Sequence, residues 1–159
     1  MKNILLTGDS KGLGQNIKGK LKDSGYNVIG LSRSSDDIKY DLNDVDGIKD
    51  LYLNIIKDRG PIDGFINNAA FAYDDIISNL NCEKLIHMYN INVFSPMMLT
   101  KYVIRDMILH KTCGSIVHVS SISVHTGYKG LAMYALSLIH ISEPTRQEAI
   151  SYAVVCLKK

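Results

Sequence analysis

The chain alternates short apolar runs with longer amphipathic stretches. The apolar runs have the length of buried strands and lie at residues 2–7, 26–31, 38–41, 62–66 and 114–119. Apolar residues recur at helical spacing from the first run to about residue 24, and over residues 45–58 and 82–110. Continuous apolar strands separated by helices are typical of a parallel sheet covered on both faces. The pattern therefore predicts an α/β fold with a doubly wound parallel sheet of about five strands.

Length and composition are consistent with one globular domain. The 159 residues are 46% hydrophobic and carry a net charge of +2. This composition excludes a disordered tail protein, and it lacks the basic excess expected of a nucleic-acid partner. No run of about 18 apolar residues occurs, so no membrane partner is expected. The first strand begins without a charged, cleavable leader, and we therefore expect a cytoplasmic protein.

The cysteines and histidines do not suggest a metal site. Cys82, Cys113 and Cys156 lie far apart, at spacings typical of neither a disulfide framework nor a zinc site. We expect the cysteines to be small buried apolar residues in a reducing compartment. The histidines likewise lack metal-ligand spacing, so the sequence predicts no metal.

Residues 7–14 read TGDSKGLG and connect the first strand to a helix. In such a turn Gly8 permits the sharp bend, Gly12 lets the backbone approach a pyrophosphate, and Gly14 lets the helix pack on the strand. A turn without function is the alternative, but the strand before it and the helix after it favour a dinucleotide site of a Rossmann-like fold. The predicted cofactor contacts in this loop are Gly8, Ser10, Lys11, Gly12, Leu13 and Gly14.

The TGxxxGxG spacing resembles the classical short-chain dehydrogenase/reductase family, and the resemblance continues to residue 135. Residues 67–70, NNAA, are similar to the NNAG motif of that family, with Ala70 in place of the usual glycine. The resemblance implies that Asn68 and Ala69 contact the cofactor. It implies an oxidoreductase that transfers a hydride between a nicotinamide cofactor and a small carbonyl or alcohol substrate. It also implies that the parent protein is a homodimer or homotetramer.

The end of the second strand decides between NAD and NADP in such folds. A carboxylate there binds the ribose 2′-hydroxyl of NAD, whereas arginine binds the 2′-phosphate of NADP. Residues 31–34, LSRS, contain Arg33 and no acid, and Lys11 adds a second cation from the glycine loop. We therefore expect NADP(H) to be preferred over NAD(H), the alternative being that both cations are ordinary solvated charges. The resemblance implies that Asp41 binds the adenine amino group, with Leu42 beside it as a further cofactor contact.

Three residues match catalytic positions of the family. Tyr134 follows Ser121 by thirteen residues, which is the interval in the family and favours Ser121 over Ser120. The resemblance implies that Ser121 binds the substrate oxygen and that Tyr134 exchanges a proton with it and contacts the cofactor. It implies that Asn92 maintains a helix distortion and a proton-relay water. Taken singly, each residue has an ordinary structural interpretation, but their joint spacing favours catalysis.

Leu138 stands four residues after Tyr134, where the family has lysine. In the family that lysine binds the nicotinamide ribose and lowers the pKa of the tyrosine. A tyrosine without such help has a pKa of about 10. We therefore expect the chain as it stands to be inactive. A natural pseudoenzyme or dinucleotide sensor with leucine at this position is the alternative, and a structural Rossmann module without cofactor is a third.

The last part of the chain resembles translated DNA of a sequencing adapter. Residues 136–146, LSLIHISEPTR, match the end of a transposase-type adapter, and residues 150–159 differ from the next adapter stretch only at Val155. We therefore expect an incomplete NAD(P)-binding Rossmann domain over 1–135, truncated at its C-terminus after about five strands, and an adapter-encoded tail over 136–159.

Such a truncation would expose the apolar edge of the fifth strand, so we expect poor solubility. The tail can continue a helix from Tyr134 to about Ser142, where the approaching Pro144 ends it. It can also place an apolar strand, residues 150–157, beside the fifth strand.

Overall fold

A computed structural model describes residues 1–125, 129–139 and 150–157 of the chain, the last range as backbone alone. The strands are β1 Asn3–Thr7, β2 Asn27–Ser32, β3 Ile38–Lys39, β4 Gly64–Asn67, β5 Gly114–Ser121 and β6 Ile150–Leu157. They form one parallel sheet with the order β3-β2-β1-β4-β5-β6. The predicted α/β fold with a Rossmann-like parallel sheet is thereby confirmed.

Helices connect the strands and cover the sheet. Their bounds are α1 Gly12–Asp23, α2 Ile48–Arg59, α3 Cys82–Tyr89, α4 Ser95–Leu109 and α5 Ala132–Ile139. Short 3-10 turns occur at Ile77–Asn79 and Ile122–Val124. Within the part of the chain that the structure describes, no helix is both long enough and apolar enough to cross a membrane.

The main core lies between the sheet and helices α2 and α4. Leu5, Ile29 and Phe65 on the central strands are fully buried, and Leu99 and Val103 of α4 pack against this layer. Burial of one such side chain contributes roughly 1.5–3 kcal/mol. The core therefore holds the central strands rigidly, and their carboxyl ends meet at one edge of the sheet.

The predicted helix over residues 82–110 is interrupted by a π-helical segment, Asn90–Phe94, between α3 and α4. The Asn81 side chain caps the start of α3, since its Oδ1 accepts a hydrogen bond of 3.0 Å from the Lys84 amide. The π segment contains Asn92, the residue for which the sequence implied a helix distortion. Single-turn π segments within α-helices are frequent at functional sites.

The sheet has one strand more than the five expected. Residues Ile150–Leu157 pair in parallel with Gly114–Ser121 and cover the edge of β5. The run ISYAVVCL is apolar and rich in strand formers, which favours this pairing. The expected strand beside β5 is therefore present. Residues 140–149 and 158–159 of the tail, with the predicted helix end near Ser142, lie outside the described residues.

Two cysteines differ from their prediction. Cys82 and Cys113 are free thiols and are exposed, not buried. Cys82 begins α3 directly after its capping residue, and Cys113 lies in the loop before β5, so both belong to element ends at the surface. The side chain of Cys156 lies outside the described residues.

Candidate cofactor cleft and active site

A cleft of about 320 Å³ opens at the carboxyl ends of β1, β2 and β4. Most of the predicted cofactor contacts line it, namely Gly8, Ser10, Lys11, Arg33, Asp41, Leu42, Asn68 and Ala69. The cleft is also lined by Ser32, Ser34, Tyr40, Ala70, Phe71 and Ile91, which the sequence analysis did not select as contacts. Gly12, Leu13, Gly14 and Tyr134 are not among the lining residues.

The glycine loop has the backbone that its sequence predicts. Gly8 and Gly12 have φ angles of +71° and +57°, in the left-handed region that favours glycine. A methyl group at Gly14 would overlap the carbonyl oxygen of Gly8, because α1 approaches the end of β1 closely there. The loop therefore brings the first turn of α1 to the cleft, with its free N–H groups available to an anion.

Thr7 links the ends of β1 and β4. Its Oγ1 donates to Asn67 Oδ1 and accepts from the amides of Asn68 and Ala69, each at 3.1 Å. Asn68 Nδ2 in turn donates to the Gly8 carbonyl oxygen at 3.1 Å. Thr7 was not predicted as a site residue, although its place before the glycine loop was the available signal. These bonds fix the floor of the cleft between the two strand ends.

Cationic side chains and hydroxyl groups line the cleft near the end of β2. Arg33 and Ser34 are exposed on the loop after β2, and Lys11 faces them from the glycine loop. Asp37 is engaged away from the cleft, because its carboxylate accepts from the Gly30 amide at 3.1 Å and from Arg59 at 2.7 Å. These donors match a phosphate group better than a ribose hydroxyl.

Asp41 is the acid that lines the cleft. Its Oδ1 accepts a hydrogen bond of 2.9 Å from the Asn43 amide in the loop after β3, a position consistent with a contact to adenine. Asp9, in the glycine loop near the end of β2, is buried and does not line the cleft. Asp9 was not predicted as a site residue, because a charged residue in a loop is usually solvated.

Asn92 connects the π segment to the cleft wall. Its Oδ1 accepts from the Phe71 amide and its Nδ2 donates to the Phe71 carbonyl oxygen, both at 2.8 Å. Nδ2 also donates to Ser137 Oγ at 3.0 Å, and Ser137 Oγ donates to the Tyr134 carbonyl oxygen at 2.8 Å. Asn92 thereby joins the start of α5, which carries Tyr134, to the wall of the cleft. Ser137 was not predicted in this role.

Ser121 and Tyr134 lie on neighbouring elements, since α5 packs against the end of β5 and the turn that follows it. Ser121 is partly exposed, whereas Ser120 is buried. Its Oγ accepts a hydrogen bond of 3.3 Å from the Ser123 amide and caps the 3-10 turn. Tyr134 packs beside Tyr73, Met88 and Met133 in a small apolar cluster.

The surroundings of Tyr134 oppose ionisation of its hydroxyl. Burial, followed by the nearby Asp74 carboxylate, raises the pKa of Tyr134 above its ordinary value. Leu138, one turn further along α5, is 2% exposed and supplies an apolar side chain where a cation would lower that pKa. The residues around Tyr134 therefore favour the neutral phenol.

No group of three His, Cys, Asp or Glu side chains that could hold a metal ion occurs among the described residues. His118 is a core residue, packed edge-on against the Phe65 ring. Its burial lowers its pKa to about 4, so the imidazole is neutral at pH 7.

The family model and the curated relatives that match this chain point to one family. The family model described as short chain dehydrogenase matches residues 2–154. The 3-oxoacyl-[acyl-carrier-protein] reductase FabG of Buchnera aphidicola subsp. Schizaphis graminum is 32% identical over 86% of this chain and 61% of the relative. The Carbonyl reductase [NADPH] 2 of Sus scrofa is 31% identical over 82% of this chain and 57% of the relative.

A solved structure, the ligand-free aldohexose dehydrogenase of Thermoplasma acidophilum, has a TM-score of 0.90 and 25% identity to this chain. The match covers 99% of this chain and 66% of that one. The chain spans about three fifths of the length of the two curated relatives.

Proposed function

The chain belongs to the short-chain dehydrogenase family, and from this premise we propose that its parent protein interconverts a carbonyl and an alcohol with NADP(H). By parent protein we mean the product of the uninterrupted gene to which residues 1–135 belong. Family membership implies NAD(P) binding. The observation that supports NADP(H) is that Lys11 and Arg33 line the cleft together with two hydroxyls, whereas Asp37 and Asp9 near the end of β2 are engaged away from it.

The residues present fit a dinucleotide. The glycine loop and the start of α1 would hold the pyrophosphate, with Ser10, Gly12 and Leu13 nearest to it. Arg33 and Lys11 would hold the 2′-phosphate. The open backbone at Gly12, where nothing approaches an added Cβ within 4 Å, is consistent with this use.

Further contacts are proposed at the adenine and nicotinamide ends. Asp41 and Leu42 would contact the adenine, Asn68 and Ala69 would line the middle of the site, and Tyr134 would reach the nicotinamide ribose. When bound, the nicotinamide supplies or accepts the hydride.

The protein's own part in the reaction is to hold the substrate oxygen and exchange its proton. Ser121 would donate a hydrogen bond to that oxygen, after releasing the Ser123 amide or while still accepting from it. The Tyr134 hydroxyl would donate the proton in reduction and accept it in oxidation. Asn92 would maintain the π segment and hold it to the cleft wall through its two bonds to the Phe71 backbone.

The 159-residue chain is itself proposed to be inactive. The pKa of Tyr134 is raised, and each unit by which a catalytic pKa is misplaced corresponds to about 1.4 kcal/mol. Leu138 offers neither the charge nor the ribose contact of the family's lysine. The burial of Leu138 also supports the second candidate, a dinucleotide-binding sensor or pseudoenzyme with a natural leucine at this position.

We further propose the domain division 1–135 and 136–159, with the second part encoded by an adapter. The family model extends over most of these residues, to 154, so sequencing genomic DNA across the junction is the deciding observation. Lysine at position 138 in that DNA supports the enzyme, whereas leucine supports the sensor. Continuation of residues 139–159 unchanged in that DNA would contradict the adapter origin.

The parent protein is proposed to be a cytoplasmic homodimer or homotetramer. Exposed apolar side chains on the π segment and α4, including Phe94 and Met97, support an interface on this helix. Sedimentation of the parent protein distinguishes these states from a monomer.

The function is tested by following consumption of NADPH and NADH by the parent protein with a panel of small ketones and aldehydes. NADPH should support the faster reduction. Replacing both cations, Lys11→Ala and Arg33→Ala, should abolish that preference, while Lys20→Ala with Lys22→Ala in the last turn of α1 should preserve it. If no carbonyl is reduced while NADPH still binds, the sensor is favoured. If NADPH does not bind at all, the structural module is favoured.

A further inference from the structure

A buried carboxylate joins the glycine loop to the loop that carries Arg33. Asp9 is 2% exposed, and its side chain accepts three hydrogen bonds. Ser32 Oγ donates at 2.9 Å, Ser35 Oγ donates at 2.8 Å, and Lys18 Nζ of α1 forms an ion pair at 2.5 Å. Burial by itself would raise the pKa of Asp9, but the bonds from Lys18, Ser35 and Ser32 together hold it below its usual value. Asp9 is therefore ionised at neutral pH.

The two serines bound by Asp9 bracket the pair of exposed residues on that loop. Ser32 ends β2, Ser35 lies three residues later, and Arg33 and Ser34 between them face the cleft. The Ser35 amide also donates to the Ser32 carbonyl oxygen at 3.3 Å, which closes a turn. Both ends of the turn are therefore fixed to one carboxylate, and the side chains at its tip project outward.

Gly30 in β2 leaves space for the Asp9 carboxylate. A side chain at Gly30 would overlap Asp9 Oδ2 and crowd Lys18 Nζ. Ser35 Oγ also lies 3.2 Å from the Gly30 carbonyl oxygen. The Asp9 carboxylate and the Ser35 hydroxyl therefore occupy the space next to Gly30. The arrangement of Asp9, Gly30 and Ser35 is thus a specific packing of polar groups.

Asp9 is also electrostatically compatible with a phosphate in the cleft. Lys18 compensates its charge, and both of its oxygens accept hydrogen bonds from neighbouring donors. Because Asp9 does not line the cleft, it is unavailable as an acceptor for a ribose hydroxyl. Its contribution to cofactor recognition must act through the residues it holds.

We propose that Asp9 is a positioning residue for cofactor choice: its carboxylate holds Ser32 and Ser35 so that the turn between them presents Arg33 and Ser34 to the 2′-phosphate of NADP(H). This inference rests on the proposed NADP(H)-dependent function. It assigns specificity to a residue that touches neither the phosphate nor the reacting atoms. The affinity for ligands without a 2′-phosphate should depend little on Asp9.

The cleanest variant is Ser35→Ala. Ser35 is 1% exposed and does not line the cleft, so its hydroxyl cannot contact a ligand there. Binding of adenosine 2′,5′-bisphosphate and of adenosine 5′-monophosphate is measured by calorimetry on the parent protein and its variants. We expect affinity for the bisphosphate to fall about tenfold, equivalent to about 1.4 kcal/mol, while affinity for the monophosphate changes less than about twofold.

A second variant guards against simple loss of folding. Asp9→Asn combined with Lys18→Met removes the anchor and its counter-charge together, so no unpaired buried cation remains. This double variant should also lose the preference for the bisphosphate over the monophosphate. Its melting temperature should be close to that of a control variant that keeps the preference. The matched control is Val103→Ala, a core truncation in α4 remote from the loop, which should lower the melting temperature and leave discrimination intact.

The outcomes separate this inference from the proposed function. If the wild-type chain binds both nucleotides equally, the NADP(H) preference is wrong and the role of Asp9 falls with it. If the wild type discriminates and both variants discriminate equally well, the role of Asp9 alone is overturned. An equal loss of affinity for both nucleotides in Ser35→Ala would also overturn it, since that result indicates general loosening of the site.

Discussion

Asn92 holds the backbone of Phe71 in both directions, with its amide oxygen and nitrogen each 2.8 Å from the matching backbone atom. The two residues are 21 positions apart in the chain, and Phe71 lines the cofactor cleft. The bond pair therefore ties the π segment to the cleft wall. Because Asn92 is 1% exposed, bulk solvent does not reach these bonds in the folded protein.

Truncation of this clamp should destabilise the protein. Asn92→Ala leaves buried polar groups without their partner, and each such group costs about 1–3 kcal/mol. The free energy of unfolding, measured by urea titration, should fall by at least the cost of one such group, about 1–3 kcal/mol. Asn90→Ala, in the same π segment, removes bonds to Asn43 at the surface and should cost less than about 0.5 kcal/mol. Equal losses in the two variants would contradict the structural importance of the clamp.

Alanine substitutions at Gly14 and Gly19, both in α1, should have opposite effects on stability. Gly14→Ala introduces an overlap with the Gly8 carbonyl oxygen, which cannot move without opening the turn, so both stability and NADPH affinity should fall. Gly19→Ala on the same helix meets nothing within 4 Å and should stabilise the chain by about 0.5–1 kcal/mol. Thermal melts and NADPH titrations check both. A Gly14→Ala variant that melts and binds like the wild type would refute the close approach.

The elements that sequence analysis predicted are those whose signal is local. Apolar runs around Leu5, Ile29 and Phe65 predicted the central strands, because these residues are buried on both faces of the sheet. The glycine spacing predicted the turn before α1, because few other residues adopt the backbone found at Gly8 and Gly12. The helix distortion at Asn92 was implied by the family resemblance alone.

Features that depend on distant partners were missed. Asp9 and Ser35 meet across 26 positions, and Asn92 and Ser137 across 45, which no periodicity reveals. A lone charged residue in a loop gives no sign that three donors surround it. Likewise, the apolar pattern over residues 82–110 continues through the π segment, so the change in hydrogen bonding there was invisible to periodicity.

A cation at position 138 should lower the pKa of Tyr134. Leu138→Lys places an ammonium group one turn from the tyrosine, where it favours the phenolate and opposes the raising effects of burial and Asp74. The pKa should fall by at least about one unit, equivalent to about 1.4 kcal/mol. Ring-labelled tyrosine followed by NMR, assigned with Tyr134→Phe, measures it. Leu138→Met is the uncharged control, and an equal pKa in both variants would contradict the proposed role of the missing lysine.

Stability should decline at alkaline pH in part through Tyr40. Burial, with the Asp44 carboxylate beside it, raises the pKa of Tyr40 to about 12. The folded state then retains a proton that the unfolded state loses near pH 10. This contribution is fully present below about pH 10 and is lost as the pH rises towards about 12. Tyr40→Phe should therefore flatten the fall in unfolding free energy over this interval, and an unchanged slope would contradict the assignment.

The cleft is proposed to recognise the 2′-phosphate of NADP(H). The most direct test is the ratio of the dissociation constants for NADH and NADPH, measured side by side by fluorescence titration of one purified preparation. Arg33 in the loop after β2 and Lys11 in the glycine loop are both exposed and should together contribute at least about 1.4 kcal/mol to the binding of NADPH alone. We predict that NADPH binds at least about tenfold more tightly. Binding of NADH with equal or higher affinity would contradict the account.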